Sequence, residues 1–317
     1  MKTIREQLTA EFFGTFSLVF IGAGSAALLG FRPDIAGLIG IALAHGLVLA
    51  VMVSALGHIS GGHFNPAVTI SVWVSGKIET LRALFYIVAQ LVGAAAGAGL
   101  LRLAIPERLW RHDPTSLGAT ALSRQFGVTP ANALLLEAAL TFFLVFTVFA
   151  VAVDDRGVFK SIAGLPIGLV LTFDILVGGF LTGASMNPAR SFGPALLIWE
   201  WKDFWIYLAG PLAGGIVAAS VYWFSFLRGR LVTAPRTETP IGGGPEEDLP
   251  TGRASEEALA EGRVSEDEMP DQPRTETETE TPSTQPAWGT GGETRPGQPR
   301  LGQPREFGAE RPSEEDR

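Results

Sequence analysis

Two stretches of this 317-residue chain decide its fold: Gly57-His-Ile-Ser-Gly-Gly-His-Phe-Asn-Pro-Ala-Val68 and Gly183-Ala-Ser-Met-Asn-Pro-Ala-Arg-Ser-Phe-Gly-Pro194. In each, an Asn-Pro-Ala triplet opens a short apolar segment, Asn65 to Ser75 and Asn187 to Ile198. Asparagine is a strong helix N-cap, and proline suits the first helical position because its missing N–H has no helical partner there. Each triplet therefore starts a helix abruptly. At ~1.5 Å per residue such a helix crosses about half a bilayer, so two placed end to end span one.

Six longer apolar runs surround these segments, at about 7–30, 35–57, 81–105, 131–153, 161–182 and 204–227. Each is long enough to cross a bilayer, and none has the charged back face of a soluble helix. Lys2 and Arg5 before the first run imitate a signal peptide. Its length, the Glu11 inside it and the five runs that follow argue for an uncleaved helix. The pattern also repeats. Glu11-x-x-x-Thr15 returns as Glu137-x-x-x-Thr141, and Asn65 returns as Asn187, 122 residues later. Gly93-Ala-Ala-Ala-Gly97 answers Gly210-Pro-Leu-Ala-Gly214, both close-packing GxxxG patterns. Each half (about 1–115 and 125–230) has three spans, an odd number, so the halves insert with opposite orientation. Inverted repeats with broken helices in matching places put a permeation or binding site near the midplane. The expected fold is an all-α membrane protein of six transmembrane helices and two re-entrant half-helices.

Composition changes abruptly near residue 230. Residues 1–230 carry a net charge of +3 and are about 58% hydrophobic; residues 231–317 carry −11, are about 18% hydrophobic and hold 12 of the 21 prolines. The first part reads as the transmembrane domain. The second cannot bury enough apolar surface to offset its ordering entropy and reads as a disordered acidic tail. The absence of cysteine excludes disulfides, thiolate metal sites and a cysteine nucleophile. His58 and His63 lack companion ligands, so no metal site is expected, and no cofactor is implied. No basic tract is interleaved with aromatics, which leaves nucleic-acid binding unsupported. No nucleophile–base–orienter set points to an enzyme. With both termini inside, Lys2, Arg5, Lys77, Arg82, Arg156, Lys160, Arg228 and Arg230 are cytoplasmic, against Arg32, Arg102, Arg108, Arg111, Arg124 and Lys202 outside. Eight against six leans toward cytoplasmic termini in the cell membrane.

With both boxes, the glutamate pair, Gly210-Pro211 and the six-plus-two-half plan, residues 1–228 resemble the aquaporin (major intrinsic protein) family. The resemblance implies a passive homotetrameric channel, one pore per chain, for water and small neutral solutes. If the half-helices meet at Pro66 and Pro188, two positive dipole ends face each other at mid-membrane and repel cations. Asn65 and Asn187 then cap these ends by their oxygens and turn amide N–H groups into the lumen, with Ala67 and Ala189 completing the boxes. Glu11 and Glu137 are implied to accept backbone N–H groups of the two loops, and His63 to stabilise the first loop. A proton relay is the sharper alternative for the two acids. Asp174, a third acid in an apolar run, is not explained by the family pattern; a polar cap, an interhelical hydrogen bond and pore lining stay open.

Counting from the boxes, the resemblance places an outer constriction at His45, Ile175, Ala184 and Arg190. This quartet looks like that of plant tonoplast intrinsic proteins and implies ammonia as a further solute. Ser191, Ala195 and Tyr207 match the water-channel side of the family, while Leu208 stands where tryptophan is expected. A glycerol or urea facilitator of the same fold is the alternative. A secondary transporter with inverted repeats, or a junction protein working through its tail, is a rival of another class.

Overall fold

The computed structural model describes residues 2–29, 34–107, 116–156 and 160–228. The acidic segment 231–317, and Arg32, Arg108, Arg111 and Arg230 of the charge argument, lie outside these residues. Six helices are long and apolar enough to cross a membrane: α1 (Ile4–Leu29), α2 (Ile35–Ser60), α4 (Thr80–Ala104), α5 (Pro130–Val153), α6 (Gly164–Thr182) and α8 (Ile206–Leu227). Two short helices, α3 (Pro66–Val74) and α7 (Pro188–Ile198), complete the bundle. The described residues contain no strand.

Local chemistry sets the ends of these helices, and the two halves use the same devices. Thr3 and Thr129 each form a reciprocal capping box, with Glu6 and Asn132 respectively, so α1 and α5 begin alike. Asn65 and Asn187 cap α3 and α7, with proline at the first helical position. Helices α2 and α6 stop at Gly61 (φ 97°) and Gly183 (φ 81°), left-handed positions that glycine fills without Cβ strain. Each box is thus reached from a long helix through a glycine stop.

Close packing follows the inverted repeat. Helix α4 lies on α1, and α8 on α5. A Cβ on Gly97 would stand 2.6 Å from the Phe16 carbonyl, so the backbones meet without side chains between them. Gly93 rests on the Phe12 carbonyl and Gly214 on the Ala138 carbonyl, each one residue past a buried glutamate. The structural counterpart of Gly93 is therefore Gly214, not Gly210; the sequence pairing was one helical turn out of register. The half-helices are exchanged: α3 packs on α8, where Ser71 meets Gly215, and α7 packs on α4, where Gly193 meets Ala94. Helices α2 and α6 close the bundle across Gly46 and Gly168. Leu47, Val51, Leu81, Leu135 and Val177 are each more than half exposed, forming an apolar exterior suited to lipid.

Candidate functional site

The two boxes meet inside the bundle through reciprocal hydrogen bonds. Asn65 Oδ1 accepts from Ala67 N at 2.9 Å, which aims its Nδ2 at the Met186 carbonyl, 2.8 Å away. Asn187 Oδ1 accepts from Ala189 N (3.0 Å) and Arg190 N (3.2 Å), and its Nδ2 donates to the Phe64 carbonyl at 2.9 Å. One N–H of each amide is thus spent holding the opposite loop, and one remains for the lumen.

Phe64 and Met186 are the residues that the sequence reading missed. Both are left-handed (φ 48° and 52°), a conformation costing a non-glycine residue about 1–2 kcal/mol. Their amides donate to Glu11 Oε2 (2.7 Å) and Glu137 Oε2 (2.8 Å), while their carbonyls receive the asparagines. The carboxylates hold the strained turns from behind. Glu11 also accepts from Ser60 Oγ (2.6 Å), His63 N (3.0 Å) and Gln90 Nε2 (2.7 Å); Glu137 also accepts from Thr182 Oγ1 (2.7 Å) and Ser185 N (3.0 Å). Both acids are fully buried. Tyr86 and Tyr207 finish the matching networks by donating to the carbonyls of Ser60 (2.9 Å) and Thr182 (2.8 Å).

The lumen beside this junction is walled by Leu18, Leu49, Val68, Leu144, Val148, Ile167 and Leu171, with polar interruptions at His63, Asn65, Asn187, Ser185, His45 and Arg190. Arg190 also lines a second, larger space, the vestibule, together with Ile41, Ile175 and the 118–125 loop. It therefore stands where the two spaces join. Its Nη1 donates to the Gly118 carbonyl (2.7 Å) and its Nη2 to His45 Nε2 (3.3 Å).

His45 Nδ1 lies 2.9 Å from the Ile41 carbonyl, which only a protonated Nδ1 can satisfy; Nε2 is then the acceptor for Arg190. The ring fits because a Cβ on Gly22 would lie 2.5 Å from it. Both nitrogens of His45 are committed, so it steers Arg190 rather than offering a free site. Ala184 turns its methyl toward Gly178, and its amide donates to Thr182 Oγ1 at 3.1 Å. Of the expected quartet the structure brings His45 and Arg190 into contact, puts Ile175 with Arg190 on the vestibule wall, and packs Ala184 toward Gly178 of α6. His63 donates its amide to Glu11, places Nδ1 3.1 Å from Thr69 Oγ1, and lines the lumen. Ser191, the water-side marker, joins a hydroxyl chain with Ser185 Oγ (2.6 Å) and Thr120 Oγ1 (2.9 Å).

The family model "Major intrinsic protein" matches residues 1–222. The chain belongs to the major intrinsic protein family. Among its relatives, "Aquaporin TIP1-2" of Zea mays is 46% identical over 224 residues, covering 69% of this chain and 85% of the relative. "Probable aquaporin TIP-type" of Medicago truncatula is 44% identical over 235 residues, 72% of this chain and 90% of the relative. Among solved structures, the aquaglyceroporin from Plasmodium falciparum superposes with a TM-score of 0.58 at 25% identity, over 69% of this chain and 96% of that one. The acidic segment falls beyond the family match, which ends at Tyr222.

Proposed function

We propose that residues 1–230 form a passive channel for water and ammonia that excludes protons and ions, assembled as a homotetramer in the cell membrane with both termini cytoplasmic. The observation that carries this reading is the reciprocal pair of asparagine bonds. By fixing both amides, it presents two donors and the positive ends of two helices to any molecule at mid-lumen. A water passing there is held by its oxygen, so it cannot accept a proton from one neighbour while passing one to the next. The apolar wall on either side offers little to an ion shedding its hydration shell. Glu11, Glu137 and His63 act as loop supports, and His45, Ile175, Ala184 and Arg190 set the outer limit on size and charge.

Ammonia enters this reading because Ile175 makes one wall of the ring aliphatic. The test is side-by-side flux through proteoliposomes of water, ammonia, glycerol and urea. Faster osmotic shrinkage and faster internal alkalinisation under an ammonium gradient, relative to empty liposomes, support it. Glycerol flux rivalling that of water would instead mark a glycerol facilitator, and saturable, gradient-coupled uptake a transporter.

A further inference from the structure

Arg190 makes two side-chain hydrogen bonds among the described residues, to the Gly118 carbonyl and to His45 Nε2. These partners come from a loop and from α2, yet both rest on consecutive residues of α1. A Cβ on Gly22 would lie 2.5 Å from Cδ2, 2.7 Å from Nε2 and 2.9 Å from Cγ of His45. A Cβ on Gly118, which is left-handed (φ 68°), would lie 2.1 Å from the Ala23 carbonyl oxygen. Both separations are closer than van der Waals contact allows. The imidazole therefore takes the space a Gly22 side chain would need, and the loop backbone lies directly on α1.

Gly22 and Ala23 end a π-turn, Leu18–Ala23, inside the first span. Such turns shift the phase of a helix and are frequent at functional sites. This one is not a plain product of the repeat. The 126-residue interval from Glu11 to Glu137 carries Leu18–Ala23 to Leu144–Phe149. There the second half stays α-helical through Val148, and its π-turn comes later, at Phe149–Val153. On the same count Gly22 corresponds to Val148. His45, twenty residues before Asn65, corresponds to Ile167, twenty before Asn187. Val148 and Ile167 both line the lumen. Where the second half sets two aliphatic side chains, the first sets a bare backbone and an imidazole.

We propose that the π-turn of α1 positions the constriction arginine. Gly22 leaves room for His45 to turn Nε2 to one end of the guanidinium, and Ala23 seats the loop whose Gly118 carbonyl takes the other. Gly22 thereby sets solute discrimination through His45, although it is not one of the four constriction residues. The effect on discrimination rests on the constriction reading under Proposed function; the seating of His45 against Gly22 does not.

Full-length G22A in proteoliposomes tests the assignment, with H45A and G22A/H45A beside it. The added methyl should push the imidazole off Arg190, and the freed guanidinium should let the ratio of urea to water permeability rise about fivefold, the loss of one hydrogen bond. H45A should raise the ratio as much, and G22A should add nothing in the H45A background, where no ring remains to displace. A wild-type ratio in G22A while H45A raises it would overturn the proposal, as would an equal further rise on adding G22A to H45A. If G22A does not fold, recovery of folding in G22A/H45A reads the same contact, and failure of both while H45A folds overturns it. A second measurement is independent of flux. Nitrogen NMR of protein labelled at histidine, with His45 assigned by its absence from H45A, should show the Nε2 resonance moving in G22A as the bond to Arg190 is lost. An unmoved resonance would overturn the seating of His45 against Gly22. An unchanged ratio in H45A would overturn the constriction reading and the effect on discrimination, and the Nε2 resonance would still decide whether Gly22 holds His45 on Arg190.

Discussion

The first loop, before α3, and the second, before α7, are built nearly position for position, and their few differences divide the labour of the pore. Glu11 matches Glu137, Ser60 matches Thr182, Phe64 matches Met186, and Tyr86 matches Tyr207 in the bonds they make. Thr69 and Ser191, each four residues past a capping asparagine, take up the side chains of His63 and Ser185 in the same manner. The departures are three: Val68 stands opposite Arg190 after the two alanines, His63 opposite Ser185, and Gln90 opposite Pro211. One scaffold is used twice, and the charged member of the proposed constriction stands on the second copy. The first copy has an apolar Val68 where the second places a guanidinium across the lumen.

The strongest way to break this equivalence is to remove either carboxylate. E11L and E137L each strand several buried donors behind a left-handed turn, at a cost of about 3–5 kcal/mol, and should abolish folded, conducting protein alike. Size-exclusion profiles and water flux would check it, and a conducting variant of either would mean the turns are held some other way. R190V makes the second copy resemble the first. It should raise urea and glycerol permeation about tenfold, the worth of one charge-assisted contact, and open a proton leak. Unchanged solute and proton flux would remove Arg190 from the constriction.

Gln90 gives Glu11 a fourth donor that Pro211 cannot give Glu137. Q90L should therefore lower stability by only about 1–2 kcal/mol and keep the channel working, bringing the first loop to the second's count of donors. A loss as large as that of E11L would show that the first loop depends on its extra donor. The smallest effect is expected where the end of α5 meets the end of α8. Asp154 accepts from Arg156 Nη2 at 2.5 Å and from Tyr222 Oη at 3.0 Å, tying the end of α5 to α8. The hydrogen-bonded Arg156 guanidinium holds the Asp154 carboxyl well below the usual carboxylate range. Its contribution is therefore complete above about pH 4, the unfolded value, and is lost only as pH falls through the lower folded value. D154N should cost about 1 kcal/mol, seen as a drop in melting temperature that is constant from pH 5 to 8 and shrinks in stronger acid.

Much of this was legible in the chain. The Asn-Pro dipeptides announced α3 and α7 because capping chemistry is local, and the six spans were set by apolar length. The first span begins at Ile4 rather than 7 because Thr3 and Glu6 cap it, a local signal that hydropathy overrides. The fifth begins at Gly164 rather than 161 because Lys160–Ile162 form a separate 3-10 turn. What stayed hidden were pairings between distant residues. The bond from Asn65 to the Met186 carbonyl spans 121 positions, and neither the strained φ of Met186 nor that of Phe64 has a side-chain signature. The glycine pairing failed by one turn for a related reason: a GxxxG pattern gives spacing, while the register depends on which carbonyl opposes it. His45 was placed by its spacing from the box, but its bond to Arg190 depends on a rotamer.

The central claim is that the joined half-helices border a continuous lumen for water. Stopped-flow light scattering of proteoliposomes under an osmotic gradient tests it directly, with the N65L/N187L double variant in parallel. The account predicts wild-type shrinkage several times faster than empty liposomes without ion leak, and loss of that increment in the double variant. Wild-type shrinkage no faster than that of empty liposomes, from protein shown to be folded and inserted, would contradict it.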